Sequence, residues 1–240
     1  MARPTTRILT PGKIFRAALE RFDERQEFSI PQLAKRLGVS PSSLYHHVKG
    51  GRTEIIEGIR SLISQDAHDR GDFPPGEGNW QEQTRRWAIN YRYALGLHPM
   101  AIPALVGESV DDAPTLEIYE TLAQILESAG FQDGRLLDAL SLVDLLVLGS
   151  AIDAGSPEPP WEPSELAHPS LSRALATQTG ARRQDRAFAL GLDAVIAELD
   201  RQLTTHVAPD GLDRAIRRPA PASPHVSAKG SEIEEGVNLL

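Results

Sequence analysis

The feature that most restricts this chain is a pair of very short helices folded around residue 38. Ser29 can cap the first of them, whose opening turn tolerates Pro31, and Leu33, Ala34 and Leu37 face inward. Gly38 is placed to end that helix in a left-handed conformation. Ser40 and Pro41 then start a second helix whose inward residues are Leu44 and Val48. Helices this short are not stable alone in water, so the pair needs a third element beneath it. That element precedes them: Thr10 caps a helix with Pro11 at its first position, and Ile14, Ala18 and Phe22 form one apolar stripe. A fourth helix, entered near Thr53, carries Ile55, Ile59, Leu62 and Ile63 on one side. Two short helices joined through a glycine turn predict a helix-turn-helix, with the second helix projecting from a small bundle.

A net charge of −8 over 240 residues would weigh against nucleic acid if it were spread evenly. It is not. Residues 1–58 hold ten Lys and Arg against six Asp and Glu, giving +4; the remaining 182 hold 15 against 27, giving −12. Affinity for phosphate depends on the local face, so a basic short segment joined to an acidic long one points to two jobs in one chain. The absence of cysteine removes any disulfide framework or thiolate metal site. The longest apolar run, 136–152, carries Asp138 and Asp144 and reads as a buried helix, not as a bilayer span. The first residues lead into no apolar segment of leader type, so a cytoplasmic protein with no membrane partner is expected. No glycine-rich phosphate loop, His-Glu metal motif or nucleophile elbow occurs, so no enzyme and no catalytic residue is expected.

Beyond residue 68 the pattern stays helical and lengthens. Residues 69–79 read as a loop. A long helix follows over 80–97, with Trp80, Trp87 and Tyr91 near one face, and His98-Pro99 breaks it. A short helix over 99–106 and an amphipathic one over 115–129 come next, the latter stopping at Gly130. Residues 135–153 are apolar nearly all round, which implies burial on more than one side. Residues 155–163 form a proline-rich loop, and 185–205 carry Phe188, Leu192, Val195, Ile196, Leu199 and Leu203 at helical spacing. From 207 onward no apolar period survives, and disorder is expected. The expected fold class is all-α. Residues 1–58 form a three-helix helix-turn-helix DNA-binding domain, 59–206 a larger helical ligand-binding and dimerisation domain, and 207–240 a tail.

The run from Leu33 to Lys49, LAKRLGVSPSSLYHHVK, resembles the signature of the TetR family of transcriptional regulators. Leu9-Thr10-Pro11 precedes it and Arg52 follows it in the family's order. Trp80, Tyr91-Arg92, His98-Pro99, Tyr119, Gly130-Phe131 and Gly149 resemble a tetracycline-repressor-like carboxy-terminal domain, so the likeness spans roughly residues 8–205. The resemblance implies a repressor that binds a palindromic double-stranded DNA operator as a homodimer and is released by a small-molecule effector. An activator, or a DNA-binding protein of this fold without an effector, is the alternative. The resemblance places Pro41, Ser42, Ser43, Tyr45 and His46 on the recognition helix. Tyr45 and Lys49 suit phosphates, and Ser29 can offer its hydroxyl and helix-start amides to another phosphate. His47 reads as a packing or capping residue. Pro31 stands where the tetracycline repressors carry a base-reading arginine, so that contact is missing and the operator should differ.

The resemblance also places the dimer contact on the helices over 135–153 and 185–205, and puts the sensor between the helices from 80, 99, 115 and 135. The candidate ligand-binding residues are His68, Trp87, Asn90, Tyr91, Met100, Leu105, Tyr119 and Asp144. Asp144 is conspicuous among Leu142, Val143, Leu145 and Leu146, where a carboxylate is costly unless paired or exposed. Tetracycline repressors hold a magnesium chelate with a histidine that aligns near Leu105, a residue that cannot ligate a metal. Asp153 falls at a ligand-contacting glutamate position. The expectation is therefore no metal, no cofactor and an effector other than tetracycline.

Overall fold

A computed structural model of the chain describes residues 9–24, 27–71, 77–156, 160–177 and 182–204. Among these residues there are ten helices and no strand. They are α1 (Pro11–Asp23), α2 (Ile30–Leu37), α3 (Pro41–His47), α4 (Arg52–Asp69), α5 (Trp80–Gly96), α6 (Ile102–Leu105), α7 (Ala113–Ala129), α8 (Asp133–Asp153), α9 (Pro169–Ala176) and α10 (Arg183–Thr204). None of them is long and apolar enough to cross a membrane. The expected disordered tail lies outside the described residues.

The caps explain where most helices begin. The Thr10 side chain accepts from the Lys13 amide, and Ser29 and Gln32 form a reciprocal capping box. Asn79 and Glu82 form a second box at the start of α5. Asp112 accepts from the Thr115 amide at 3.0 Å, which moves the start of α7 two residues ahead of the expected Thr115. Likewise α4 starts at Arg52 after Gly51, whose φ of 63° suits glycine. The start of α8 falls at Asp133 instead of Arg135, and that of α10 at Arg183 instead of Asp185. Helix α9 is an element the hydrophobic pattern did not disclose. None of its residues is buried in the chain, so no inward stripe marks it.

Helices α1 to α3 close over Ile14, Leu33, Leu44 and Val48, all fully buried. Phe22 and Phe28 meet edge to face at 5.6 Å beside them. Helix α4 packs on α1, α5, α6 and α7, and α5 lies against α7, α8 and α10. The core continues through Trp87, Leu122, Val143 and Leu192 as one cluster. Residue 58 lies within α4, so the expected division after it falls inside an unbroken helix.

Gly58 lets α1 sit directly on α4, because a methyl group at that position would overlap the Phe15 ring. In a helix, replacing glycine by valine gains a few tenths of a kcal/mol of propensity, whereas overpacking costs about 1–3 kcal/mol. The clash wins. Gly58→Val is expected to lower stability by about 1–3 kcal/mol in urea titration, and Phe15→Ala added to it should recover part of the loss. An unchanged urea midpoint would show that the ring swings aside freely.

Candidate functional site

The outer face of α3 is built on two buried residues. Leu44 and Val48 anchor it to the small bundle, and the Ser40 side chain accepts from the Ser43 amide to fix its start. That anchorage leaves Pro41, Ser42, Tyr45 and His46 exposed on one surface, with Ser43 and His47 half-buried. Tyr45 is 51% exposed. Gly38, at φ 70°, turns the chain between α2 and α3, and the Val39 amide closes the turn on the Ala34 carbonyl at 3.0 Å. The Ser29 amide is taken by Gln32 at 2.9 Å and its oxygen accepts from the Gln32 amide, so only its O–H can donate outward.

The positive charge of this region is largely committed within the chain. Arg36 donates to Glu20 and Glu24, both at 2.9 Å, and this pairing holds the Glu24 carboxyl below its usual range. Arg52 binds Glu27 and the Phe28 carbonyl, with its guanidinium 4.6 Å from the Phe28 ring centre. Lys35 and Lys49 are exposed and have no partner among the described residues. A nucleic acid would meet hydroxyls, a histidine and two lysines here, which gives contact with few ionic anchors.

A second cluster forms where α5, α7 and α8 meet. The rings of Trp87 and Tyr91 lie 5.1 Å apart, and Tyr119 sits 5.7 Å from Tyr91 and 6.3 Å from Trp87. The Trp87 indole N–H donates to the Ile118 carbonyl at 2.8 Å. The Tyr91 hydroxyl donates to that of Tyr119 at 3.4 Å, which donates to Asp144 Oδ1 at 3.0 Å. Burial pushes the Tyr91 hydroxyl up to about 12 and raises Tyr119 further. Burial also raises the Asp144 carboxyl, and the Tyr119 hydrogen bond works against that rise.

Four of the eight candidate ligand residues therefore come together: Trp87, Tyr91, Tyr119 and Asp144. Asn90 is half-buried on the same helix as Trp87. His68 lies at the far end of α4, its Nε2 3.0 Å from the Pro114 carbonyl. Leu105 is buried in α6, and Met100 is exposed in the turn before it. Asp153 is committed: both its oxygens accept from Arg183, at 2.7 and 2.8 Å.

Two long-range links escaped sequence reasoning. Arg60 is buried and donates to the carbonyls of Leu105 and Ser109, both at 2.6 Å, and of Glu108 at 2.9 Å. His98 Nδ1 lies 3.0 Å from Asp23 at the end of α1. An arginine beside three isoleucines of α4 is a faint signal for the first; nothing in the sequence announced the second.

Residues 74–203 match a family profile described as the tetracyclin repressor-like, C-terminal domain. The Tetracycline repressor protein class D of Escherichia coli is 27% identical over 215 residues, which cover 87% of this chain and 97% of the relative. Among solved structures, TetR from Acinetobacter baumannii AYE has a TM-score of 0.63 at 26% identity, covering 82% of this chain and 100% of the other. ActR from Streptomyces coelicolor, in complex with actinorhodin, has a TM-score of 0.67 at 22% identity, with coverage of 82% and 100%.

Proposed function

The chain belongs to the TetR family of transcriptional regulators, and from that premise we propose that it is a repressor released from a palindromic operator by a small molecule. The observation that carries the reading is α3, a helix anchored by Leu44 and Val48 with Pro41, Ser42, Tyr45 and His46 turned outward together. Residues 1–58 read DNA, and 59–206 sense the effector and hold a second copy. Membership places the chain among regulators, not among enzymes.

Two-fold pairing has support in the surfaces of α8 and α10. Helix α8 exposes Leu142, Leu145, Gly149 and Ile152, and α10 exposes Ala187, Leu190, Ala194 and Ala197. Each set repeats at alternating steps of three and four residues, the spacing of a helix seam. A dimer through these faces sets two recognition helices one helical turn of DNA apart or a multiple of it. Helix α4 runs from α1 to α7, so it is the lever by which an occupied sensor changes that spacing.

The direct test is a gel shift and footprint on the DNA flanking the chain's own gene. A protected palindrome is expected. Tyr45→Ala with Lys49→Ala should weaken it by roughly a hundredfold and make it less salt-dependent, since both changes remove phosphate contacts. Undiminished binding by the double variant would remove α3 from the interface.

A further inference from the structure

Asp144 is the least satisfied charged group of the second cluster. It stands between Val143 and Leu145 on α8 and is half-buried. Its one hydrogen bond among the described residues comes from the Tyr119 hydroxyl. A carboxylate accepts about four hydrogen bonds, and no Lys, Arg or His of the described residues forms an ion pair with it. Trp87 and Tyr91 are buried whereas Tyr119 and Asp144 are half-buried, so among the described residues the cluster is more exposed on the side of Tyr119 and Asp144.

We propose that the effector is an aromatic cation, its ring against the Tyr119 edge of the cluster and its protonated nitrogen on the Asp144 carboxylate. This rests on reading the chain as an effector-released repressor. A neutral apolar ligand would strand the carboxylate, and an anion would repel it in a setting of low dielectric. A cation satisfies both the carboxylate and the electron-rich ring faces. Asp144 lies about 120° round α8 from the centre of the exposed Leu145 face, off the surface proposed to meet a second copy. Burial holds the Asp144 carboxyl above its usual range, so preference for a cation grows as pH rises through that raised value and the group ionises.

The experiment is calorimetric titration of the full chain with naphthalenemethylammonium and with naphthoate, which share a ring system and differ in charge. The cation is expected to bind at least tenfold more tightly. Asp144→Asn, which still accepts from Tyr119, is expected to reduce that preference below about threefold. Asp138→Asn, which removes an exposed carboxylate of the same helix outside the cluster, is expected to retain it. Equal affinity for the two probes, no binding of the cation, or a preference that survives Asp144→Asn overturns the proposal. The operator footprint without any probe judges the repressor reading separately. A protected operator with no cation preference rejects this inference alone, and a cation preference without operator protection rejects that reading alone.

Discussion

A chain carrying Leu145→Glu and Leu190→Glu is expected to sediment as a monomer and to lose operator binding by about two to four orders of magnitude. Leu145 is 69% exposed and Leu190 73%, the most open large apolar side chains of α8 and α10. The two helices touch where Leu146 packs against Gly191, about a quarter-turn round from each exposed face. Both faces therefore look out on one surface. A two-fold interface presents every substitution twice, so the double change puts four carboxylates into an apolar contact. Unpaired buried charge costs several kcal/mol, enough to cancel an ordinary dimer contact. The loss at the operator follows because a monomer binds one half-site and forfeits the effective concentration that links the second. Helix content should be kept, since neither residue is buried in the chain. A stable dimer at micromolar concentration, seen by analytical ultracentrifugation, would move the interface elsewhere.

The apolar circumference of α8 was legible in the sequence, and the family resemblance put a dimer contact on it, but which of its faces stays open in the folded chain was not legible. Burial on all sides and burial on some sides give the same pattern of Leu, Val and Ala, and only exposure within the folded chain separates them. The caps were more explicit. Thr10, Ser29 and Ser40 each name a helix start because a short polar side chain before Pro, or one residue ahead of it, has one main use there. Helix α9 was illegible for the opposite reason: with no buried side chain it carries no inward period. At the candidate site, Trp87 and Tyr91 were visible as neighbours one turn apart. Their meeting with Tyr119 and Asp144 depends on how α5, α7 and α8 pack, which local spacing does not encode. The His98 pairing with Asp23 joins residues 75 apart and has no local trace at all.

Arg60→Ala is expected to cost about 3–5 kcal/mol, because it removes a charged donor and leaves the carbonyls it served without that partner. Arg60 is 5% exposed and its partners are three main-chain carbonyls, that of Leu105 at the end of α6 and those of Glu108 and Ser109 just beyond it, with no carboxylate among them. Carbonyl oxygens at the end of a helix carry partial negative charge, and a planar fork of donors can reach several of them at once. Hydrogen bonds to a charged donor contribute about 1.5–3 kcal/mol each when taken singly, but three sharing one group do not add fully. Lysine offers a point charge on a different stem, so Arg60→Lys should recover only part of the loss. For a chain of this size the alanine change corresponds to a fall of about 6–20 °C in melting temperature. Arg60→Met keeps most of the packing and isolates the polar contribution: if Met melts with the wild type, the three hydrogen bonds contribute nothing net. If Met falls as far as Ala, the segment over 105–109 is held to α4 by this one side chain. The same contact then fixes the distance between α4 and the segment over 105–109.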